Sequence, residues 1–287
     1  MNKFDIIFSF ISKKSVQDRL RKINILVALI SILIVIRMFT NESLDISEFN
    51  NLNFFEIIYL AFIYLNNAYI WSKFSNLNVS NVNFKVFSDW AYSNIGKYIP
   101  GGVGLALIRL NQDGDENKSK KIIFGLLEEQ FLYPLLSIPV LILCKYFTNI
   151  ENFIFVYIFV QIVFFYLFKY FYLLNKTIKH NSMLNFTKPI LFSLLSSNLL
   201  VFLIFYNQGI DDYLLKAIFY LIASNVGLFF VGVPAGIGIR ELIFINLIGT
   251  STPFAELAIV LIYIRLLFLT VDIIFGLVGF IIKLKNR

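Results

Sequence analysis

The sequence predicts an all-α, polytopic integral membrane protein with about seven or eight crossings and two broken or re-entrant helix motifs. Its residues are 58% hydrophobic and only 15% charged, and the mean hydropathy is +0.76, values outside the range of soluble domains. The apolar residues form long stretches, and short polar segments separate them. Two similar Gly/Pro runs interrupt this pattern, one in each half of the chain, which predicts an inverted repeat.

The chain divides into two predicted units, a polar lead over residues 1–22 and a single transmembrane domain over residues 23–287. In the lead, Phe4, Ile7 and Ile11 have helical spacing, which predicts an amphipathic segment on the cytoplasmic membrane surface; a disordered tail is the alternative. Most predicted spans are long enough for the ~20 residues that a bilayer requires, and the shorter ones need additional residues at their ends. The predicted spans are Ile23–Phe39, Phe54–Trp71, Ile122–Cys144, Phe153–Leu174, Ile190–Tyr206, Leu214–Val231 and Phe254–Ile282.

The placement of charge predicts the orientation of these spans. Basic residues dominate the first 22 residues and close the chain at Lys283, Lys285 and Arg287, whereas Asp211 and Asp212 occupy a turn without a base. Because positive charge in short loops marks the cytoplasmic side, we expect both termini inside and the aspartate turn outside. The net charge of +7 then reflects topology, and no nucleic acid partner is expected. The predicted location is the plasma (inner) membrane, with several passes.

The two Gly/Pro runs share the pattern Pro-x-Gly-β-branched-Gly. They are Pro100-Gly101-Gly102-Val103-Gly104 and Pro234-Ala235-Gly236-Ile237-Gly238, followed by Arg109 and Arg240. A helix should break at either run, because Pro removes a donor and Gly allows unusual dihedral angles. With the N-terminus inside, the first run is approached from the cytoplasm and the second from outside. This arrangement predicts an inverted repeat around a site near the midplane; two chance Gly-rich runs are the alternative.

The residues around these breaks have the chemistry of an anion site. A half-helix beginning at either run presents unpaired N–H groups and the positive end of its dipole, which favour phosphate. Lys97, Arg109 and Arg240 add full charges, although Lys97 and Arg109 could instead lie at the inner interface and only set topology. The candidate substrate-binding residues are Lys97, Pro100, Gly101, Gly102, Gly104, Arg109, Pro234, Gly236, Gly238, Arg240 and Glu241.

Ionisable residues within predicted spans are costly and are functional candidates. We expect intramembrane charge pairing that involves Glu128, Glu129 and Arg265, with Glu241 or Glu128 against Arg240 or Arg265; ion pairs that only lock the fold are the alternative. Asp272 is a further intramembrane acid. Polar residues within spans predict either a polar path or interhelical hydrogen bonds. They are Asn66, Asn67, Ser196, Ser197, Asn198, Ser224 and Asn225.

These motifs resemble those of a known family. The run Gly96-Lys97-Tyr98-Ile99-Pro100-Gly101, with Arg109 after it, is similar to the first signature of the lysylphosphatidylglycerol synthase transmembrane region, the flippase-like domain of the MprF proteins. The run from Pro234 to Glu241 is similar to its second signature, with Ala235 in place of a glycine. The resemblance extends over nearly the whole chain, from about residue 20 to 285, without the synthase domain of the family.

The resemblance also implies roles for charged residues of the spans. Glu128 and Glu129 lie where the family often has Glu-Arg, so the second position departs from the pattern, and Arg265 lies where the family has an arginine in its last span. What the resemblance implies is translocation of an anionic lipid or a polyprenyl-linked glycan between leaflets, in the context of the cell envelope. The expected partners are a membrane lipid or lipid-linked saccharide and, as candidates, envelope-synthesis enzymes.

Two rival functions belong to other classes. A membrane-embedded glycosyl- or phosphotransferase would require a catalytic carboxylate cluster, and the sequence offers no convincing one, so we expect no enzyme. A non-transporting scaffold for envelope lipid or polysaccharide synthesis is the second rival. One His and one Cys exclude multi-His metal sites within the chain, and no cofactor or metal is expected. The segment Gly238–Gly249 either crosses fully, with Thr250–Pro253 outside, or forms a half-crossing hairpin.

Overall fold

The computed structural model describes residues 53–75, 84–98, 133–149, 152–174, 187–228, 238–249 and 254–285. Within these ranges the chain is helical and contains no strand. Two 3₁₀ turns, Asn94–Tyr98 and Lys145–Phe147, follow the second and third α-helices. The α-helices are α1 (Phe54–Ser75), α2 (Phe84–Ser93), α3 (Tyr133–Cys144), α4 (Phe153–Leu174), α5 (Thr187–Asn207), α6 (Tyr213–Leu228), α7 (Ile239–Ile248) and α8 (Phe254–Lys285).

The all-α prediction is confirmed over the described residues. The predicted span Phe153–Leu174 has the same bounds as α4, and α1, α5, α6 and α8 begin within three residues of the predicted starts. The described part of the third predicted span forms α3. The first predicted span and the segment 1–22 lie outside the described residues.

Three described helices are long and apolar enough to cross a membrane, over Phe54–Ser72, Lys188–Asn207 and Leu257–Lys285. Large apolar side chains cover the outer faces of the bundle. On α4, for example, Phe155 is 73% exposed and Phe159 is 67% exposed. Such apolar surface is unfavourable in water and is typical of a surface that contacts lipid.

Helix α8 contacts both N-terminal helices of the described part, α1 and α2. Its contact with α2 and the following 3₁₀ turn is close because Gly279 faces α2 and Gly276 faces the turn. At Gly276 a Cβ atom would clash with the side chain of Ile95, and at Gly279 it would clash with the backbone of α2. Small residues at such positions let helices approach closely where dispersion forces drive their packing.

The remaining described helices pack around an aromatic core. Helix α5 contacts α1, α4 and α6, and α6 in turn contacts α3 and α7. The rings of Phe205 (α5), Tyr220 (α6) and Phe244 (α7) lie within 5.6–6.0 Å of one another, and all three side chains are buried. Edge contacts between these rings fix α7 against α5 and α6.

Helix α7 is short, and glycines bound it on both sides. Gly238 precedes it with φ +87°, and Gly249 follows it with φ +72°, a region that favours glycine. Its ten residues extend for about 15 Å, roughly half of the ~30 Å hydrocarbon thickness of a bilayer. Helix α7 alone is therefore too short to cross.

Replacing Gly279 with alanine tests the close contact between α2 and α8. The added Cβ would lie 2.7 Å from the carbonyl oxygen of Ser88 and 2.8 Å from the amide nitrogen of Tyr92, so backbone must shift. We expect Gly279→Ala to lower the free energy of unfolding by about 1–3 kcal/mol, the usual effect of overpacking. The melting temperature of the detergent-solubilised protein measures the effect.

Gly227→Ala is the matched control, because Gly227 also lies in a helix that packs against a neighbour. Its added Cβ would meet Arg240 Cβ at 3.5 Å, an ordinary van der Waals contact. We expect this variant to be unchanged or more stable by up to about 1 kcal/mol, because alanine favours helix. Equal destabilisation in both variants would contradict the proposed close contact.

Candidate functional site

Glu241, in the first turn of α7, is the centre of a charged group that we call the Glu241 cluster, together with Arg240 and Arg265. Its Oε1 atom accepts two hydrogen bonds from Arg265 on α8, from Nη2 at 2.6 Å and from Nε at 2.9 Å. Its Oε2 atom accepts a 2.7 Å hydrogen bond from the N–H of Gly238. Both oxygens are thus satisfied, as a buried carboxylate requires. The ion pair attaches the start of α7 to α8.

The sequence explains why α7 begins at this point. Gly238 adopts a positive φ, and the residue three positions later is Glu241, whose carboxylate reaches back to the Gly238 N–H. This contact is half of a capping box, and it satisfies one of the donors that a helix start leaves without an intrahelical partner. The same carboxylate therefore both begins the helix and pairs with Arg265.

Arg240 adds a second guanidinium group to the Glu241 cluster. Its Nη1 lies 3.5 Å from the hydroxyl oxygen of Tyr220 on α6, and its Cβ faces Gly227 of the same helix. The side chain of Arg265 is 27% exposed, whereas that of Glu241 is only 8% exposed. Both arginines make further interactions. A buried carboxylate thus holds a partly exposed arginine in one orientation, beside a second arginine.

A second charged group, the Asp272 cluster, consists of Tyr64, Lys97 and Asp272. The Oδ1 atom of Asp272 accepts hydrogen bonds from the Tyr64 hydroxyl at 2.7 Å and from Lys97 Nζ at 3.0 Å. The Lys97 Nζ also lies 5.2 Å from the centre of the Tyr64 ring. The Asp272 side chain is 3% exposed and that of Lys97 is 33% exposed. The cluster joins α1, the Asn94–Tyr98 turn and α8, with opposite charges balanced.

The two clusters lie on one face of α8. Arg265 and Asp272 are seven residues apart, which brings them within about 20° of the same direction and about 10 Å apart along the helix axis. Farther along α8, Lys283 Nζ lies 3.7 Å from Asp89 Oδ1 of α2. Among the described residues, α8 therefore forms three ion pairs, to α7, to the 3₁₀ turn and to α2.

Near its start α8 has a further polar contact, with α1 and α5. The Tyr263 hydroxyl donates to Glu56 Oε2 at 2.7 Å and accepts a hydrogen bond from the N–H of Asn53 at 2.9 Å. Asn207 Nδ2 donates to the other oxygen of Glu56 at 2.7 Å. Glu56 is 4% exposed, so this network satisfies a buried carboxylate without a cation in the described part.

The described part of the chain brings three of the sequence-predicted site residues together, Arg240, Glu241 and Arg265, with Gly238 at the same helix start. Lys97 is not in this group, because its ammonium group pairs with Asp272. The remaining predicted site residues lie outside the described residues. They are Pro100, Gly101, Gly102, Gly104, Arg109, Glu128, Glu129, Pro234 and Gly236.

The intramembrane polar residues that the structure describes form hydrogen bonds of two kinds. Some join helices, as in the contact of Ser193 Oγ with Asn67 Oδ1 at 2.5 Å and that of Asn198 Nδ2 with the Tyr157 hydroxyl at 2.5 Å. Others return to their own helix, as Asn225 does to the carbonyl of Leu221. The interhelical hydrogen bonds are polar contacts that stabilise helix packing in an apolar interior.

Sequence reasoning missed several polar residues that burial makes important. Glu56, Tyr64, Trp90 and Asn94 drew no attention, because they lie at the start of a span, within an apolar span or in a semi-polar segment. For Asp272 the signal was present, since an acid in an apolar stretch requires a partner, but nothing in the sequence identified Lys97 as that partner.

Among the residues that the structure describes, there is no group of three or more His, Cys, Asp or Glu side chains that could hold a metal ion. Comparison of the chain with known proteins gives no match to a protein-family model, a curated protein or a solved structure. The family resemblance of the two Gly/Pro motifs therefore stays a prediction.

A double-mutant cycle measures the Glu241–Arg265 interaction. We expect Glu241→Gln and Arg265→Gln each to destabilise the protein, because each leaves an ionised partner in an apolar setting. The coupling free energy should be about 1–3 kcal/mol, as for residues in direct contact. The same cycle for Asp89 and Lys283, at 3.7 Å and with the lysine 31% exposed, should give less than about 1 kcal/mol. Reversible unfolding in mixed micelles provides the measurement; equal coupling in both cycles would contradict the assignment.

Gln161 of α4 generates a separate prediction. Its side chain is fully buried, and neither amide atom has a hydrogen-bond partner in the part of the chain that the structure describes. We expect Gln161→Leu to raise the free energy of unfolding by about 1–3 kcal/mol, because leucine removes an unsatisfied buried group of similar volume. Asn198→Leu should lower it, because the Tyr157 hydroxyl loses its partner. Thermal unfolding of both variants tests this contrast, and destabilisation by Gln161→Leu would contradict it.

Proposed function

We propose that the chain is a multi-pass membrane protein that translocates an anionic lipid or a polyprenyl-linked glycan between leaflets. The observation that carries this proposal is the Glu241 cluster, in which a buried carboxylate holds Arg265 beside Arg240 at the start of a short helix. Two guanidinium groups around one carboxylate favour a further anion, and arginine binds phosphate oxygens with two N–H bonds at once. A phospholipid or polyprenyl-phosphate headgroup supplies that anion.

Several features support an entry route for such a headgroup from the bilayer. The Arg265 side chain is partly exposed although α8 is one of the described helices that are long and apolar enough to cross a membrane. An arginine in such a helix is costly, and intramembrane cations mark substrate pathways. The acyl or prenyl chains would remain in contact with the apolar outer faces of the helices while the headgroup occupies the cluster.

The lengths of the helices favour a position of this site deep in the bilayer. Helix α8 has 32 residues, about 48 Å, and its midpoint falls between Arg265 and Asp272. We therefore assign both clusters to the central part of the membrane. Helix α7 is about half a bilayer long, which favours a half-crossing hairpin for the segment that begins at Gly238. Seven or eight crossings, with both termini in the cytoplasm of a plasma (inner) membrane, complete the proposed topology.

Broken helices provide the mechanism of the proposed translocation. A half-helix that begins near the midplane directs its unpaired N–H groups and dipole toward an anion, so α7 and Arg240 act in the same direction. Glu241 prevents the two arginines from repelling each other when no headgroup is bound. The phosphate of the headgroup replaces the Glu241 carboxylate as the acceptor of the arginine N–H bonds. The headgroup can therefore enter from one leaflet and leave toward the other without contact with the hydrocarbon core.

Translocation in reconstituted vesicles tests the proposal. We expect the protein to make fluorescent phosphatidylglycerol in the inner leaflet accessible to an external reductant, and to act more slowly on zwitterionic phosphatidylcholine. Arg265→Gln should reduce the rate for the anionic lipid by about tenfold or more, because a charge-assisted hydrogen bond is lost. A polyprenyl-phosphate sugar is tested in the same assay.

Lys285→Gln is the matched control, because it removes one positive charge at the exposed end of the same helix. It should leave the rate within about twofold, since surface charges contribute little. Vesicles with the unmodified protein that translocate none of these lipids, or an Arg265→Gln variant as active as Lys285→Gln, would contradict the proposed function. Product formation without translocation would favour a transferase. The absence of both product and translocation would favour a scaffold.

A further inference from the structure

Asn94, the first residue of the 3₁₀ turn after α2, has a buried polar side chain. It is 1% exposed, and neither its Nδ2 nor its Oδ1 has a hydrogen-bond partner among the residues that the structure describes. A primary amide has two donors and a carbonyl acceptor, and burial of all of them without partners is unfavourable. Native proteins rarely leave such a group unsatisfied, so we expect a polar partner other than the described residues.

Trp90 and Lys97 flank Asn94 on the same side of this segment, and we call these three side chains the Asn94 face. The indole Nε1 of Trp90 is also buried, and it has no hydrogen-bond partner within the described ranges. The Trp90 ring lies 5.8 Å from the Tyr64 ring, and Lys97 Nζ lies 5.2 Å from the centre of the same ring. The i, i+4 and i, i+3 spacings place Asn94 between these two contacts. The 33% exposed Lys97 side chain marks the outer end of the face.

The charges of this region are balanced, which separates it from the Glu241 cluster. The ammonium group of Lys97 pairs with the carboxylate of Asp272, so the unsatisfied groups are the neutral amide and indole. A phosphate oxygen only accepts, so it cannot satisfy the Asn94 carbonyl. An ammonium group only donates, so it cannot satisfy the indole or the amide N–H groups. A hydroxyl group donates and accepts, and it can satisfy all of them.

We propose that the Asn94 face, with Tyr64, binds the hydroxyl groups of an uncharged polyol part of the lipid headgroup, a sugar or a glycerol. This inference rests on the proposed function and names its substrate class. The neighbouring Asp272 lies about 10 Å along α8 from Arg265, a distance that a phosphate and an attached sugar can span. The phosphate binds the arginines, and the polyol binds the Asn94 face.

Binding requires the 3₁₀ turn to move away from α8. The unsatisfied atoms of Asn94 and Trp90 have almost no exposed surface, so the face is closed in this conformation. Ile95, next to Asn94, packs against Gly276 of α8 and keeps it closed. A 3₁₀ segment has poorer hydrogen-bond geometry than an α-helix, so it moves more readily, and its opening would expose the three side chains together.

Tryptophan fluorescence tests the polyol site directly. The chain has two tryptophans, so Trp71→Phe leaves Trp90 as the sole reporter. In detergent, this protein is titrated with phosphatidylglycerol and with phosphatidylmethanol, which has the same charge but no hydroxyl group. Polyprenyl-phosphate glucose and the methyl ester of polyprenyl phosphate, both singly charged phosphodiesters, form the second pair. We expect at least one hydroxylated lipid to change the Trp90 emission and to bind about tenfold more tightly than its hydroxyl-free partner. The responding pair distinguishes glycerol from sugar.

The variant Asn94→Leu, in the Trp71→Phe background, should lose this preference and bind the hydroxyl-free lipid as before. Equal binding of both members of both pairs would overturn the proposal and assign the face to bound water only. A preference that survives Asn94→Leu would overturn it as well. If Asn94→Leu fails to fold, the comparison of lipids with the Trp71→Phe protein still tests the polyol site. Binding is measured here without translocation. The polyol site can therefore be confirmed even if the protein transports no lipid, and it can be contradicted even if the protein does transport lipid.

Discussion

The pairing of charges inside an apolar helical assembly is the constraint on which the described structure depends. An isolated ion in such an interior is so unfavourable that each one must find an opposite charge or several hydrogen-bond donors. Helix α8 meets this requirement twice in the described part, with Glu241 as the partner of Arg265 and Lys97 as the partner of Asp272. The two partners belong to different segments, so the pairing holds α7 and the 3₁₀ turn against one helix.

Close packing makes these pairs possible. The glycines at 276 and 279 let α2 approach α8 at backbone distance, and this approach brings Lys97 within 3.0 Å of Asp272. The aromatic contacts of Phe244 with α5 and α6 hold α7 in a comparable way, so that Glu241 meets Arg265. Dispersion forces thus bring the helices into contact, and the ion pairs fix the register between them.

In the function that we propose, the two clusters on α8 bind different parts of the substrate. The Glu241 cluster contains more guanidinium than carboxylate groups and suits an anion, whereas the Asp272 cluster is balanced and adjoins neutral amide and indole groups. A substrate that carries a phosphate and a polyol uses both. Each cluster also includes a partly exposed cation, Arg265 on an otherwise apolar helix and Lys97 on the 3₁₀ turn. This cation provides contact with the headgroup, and the buried acid keeps it oriented.

The sequence by itself determined that the described residues are helical and where most helices begin, because long apolar stretches between polar segments have one stable solution in an apolar setting. It also singled out Arg240, Glu241 and Arg265, since charges within apolar stretches are too costly to be incidental. Only the tertiary structure decided the partners. Lys97 and Asp272 are 175 residues apart in the chain, and their pairing follows from the contact between the 3₁₀ turn and α8. Local patterns do not encode such distant contacts, so the burial of Asn94 and Trp90 became visible only once the helices were packed.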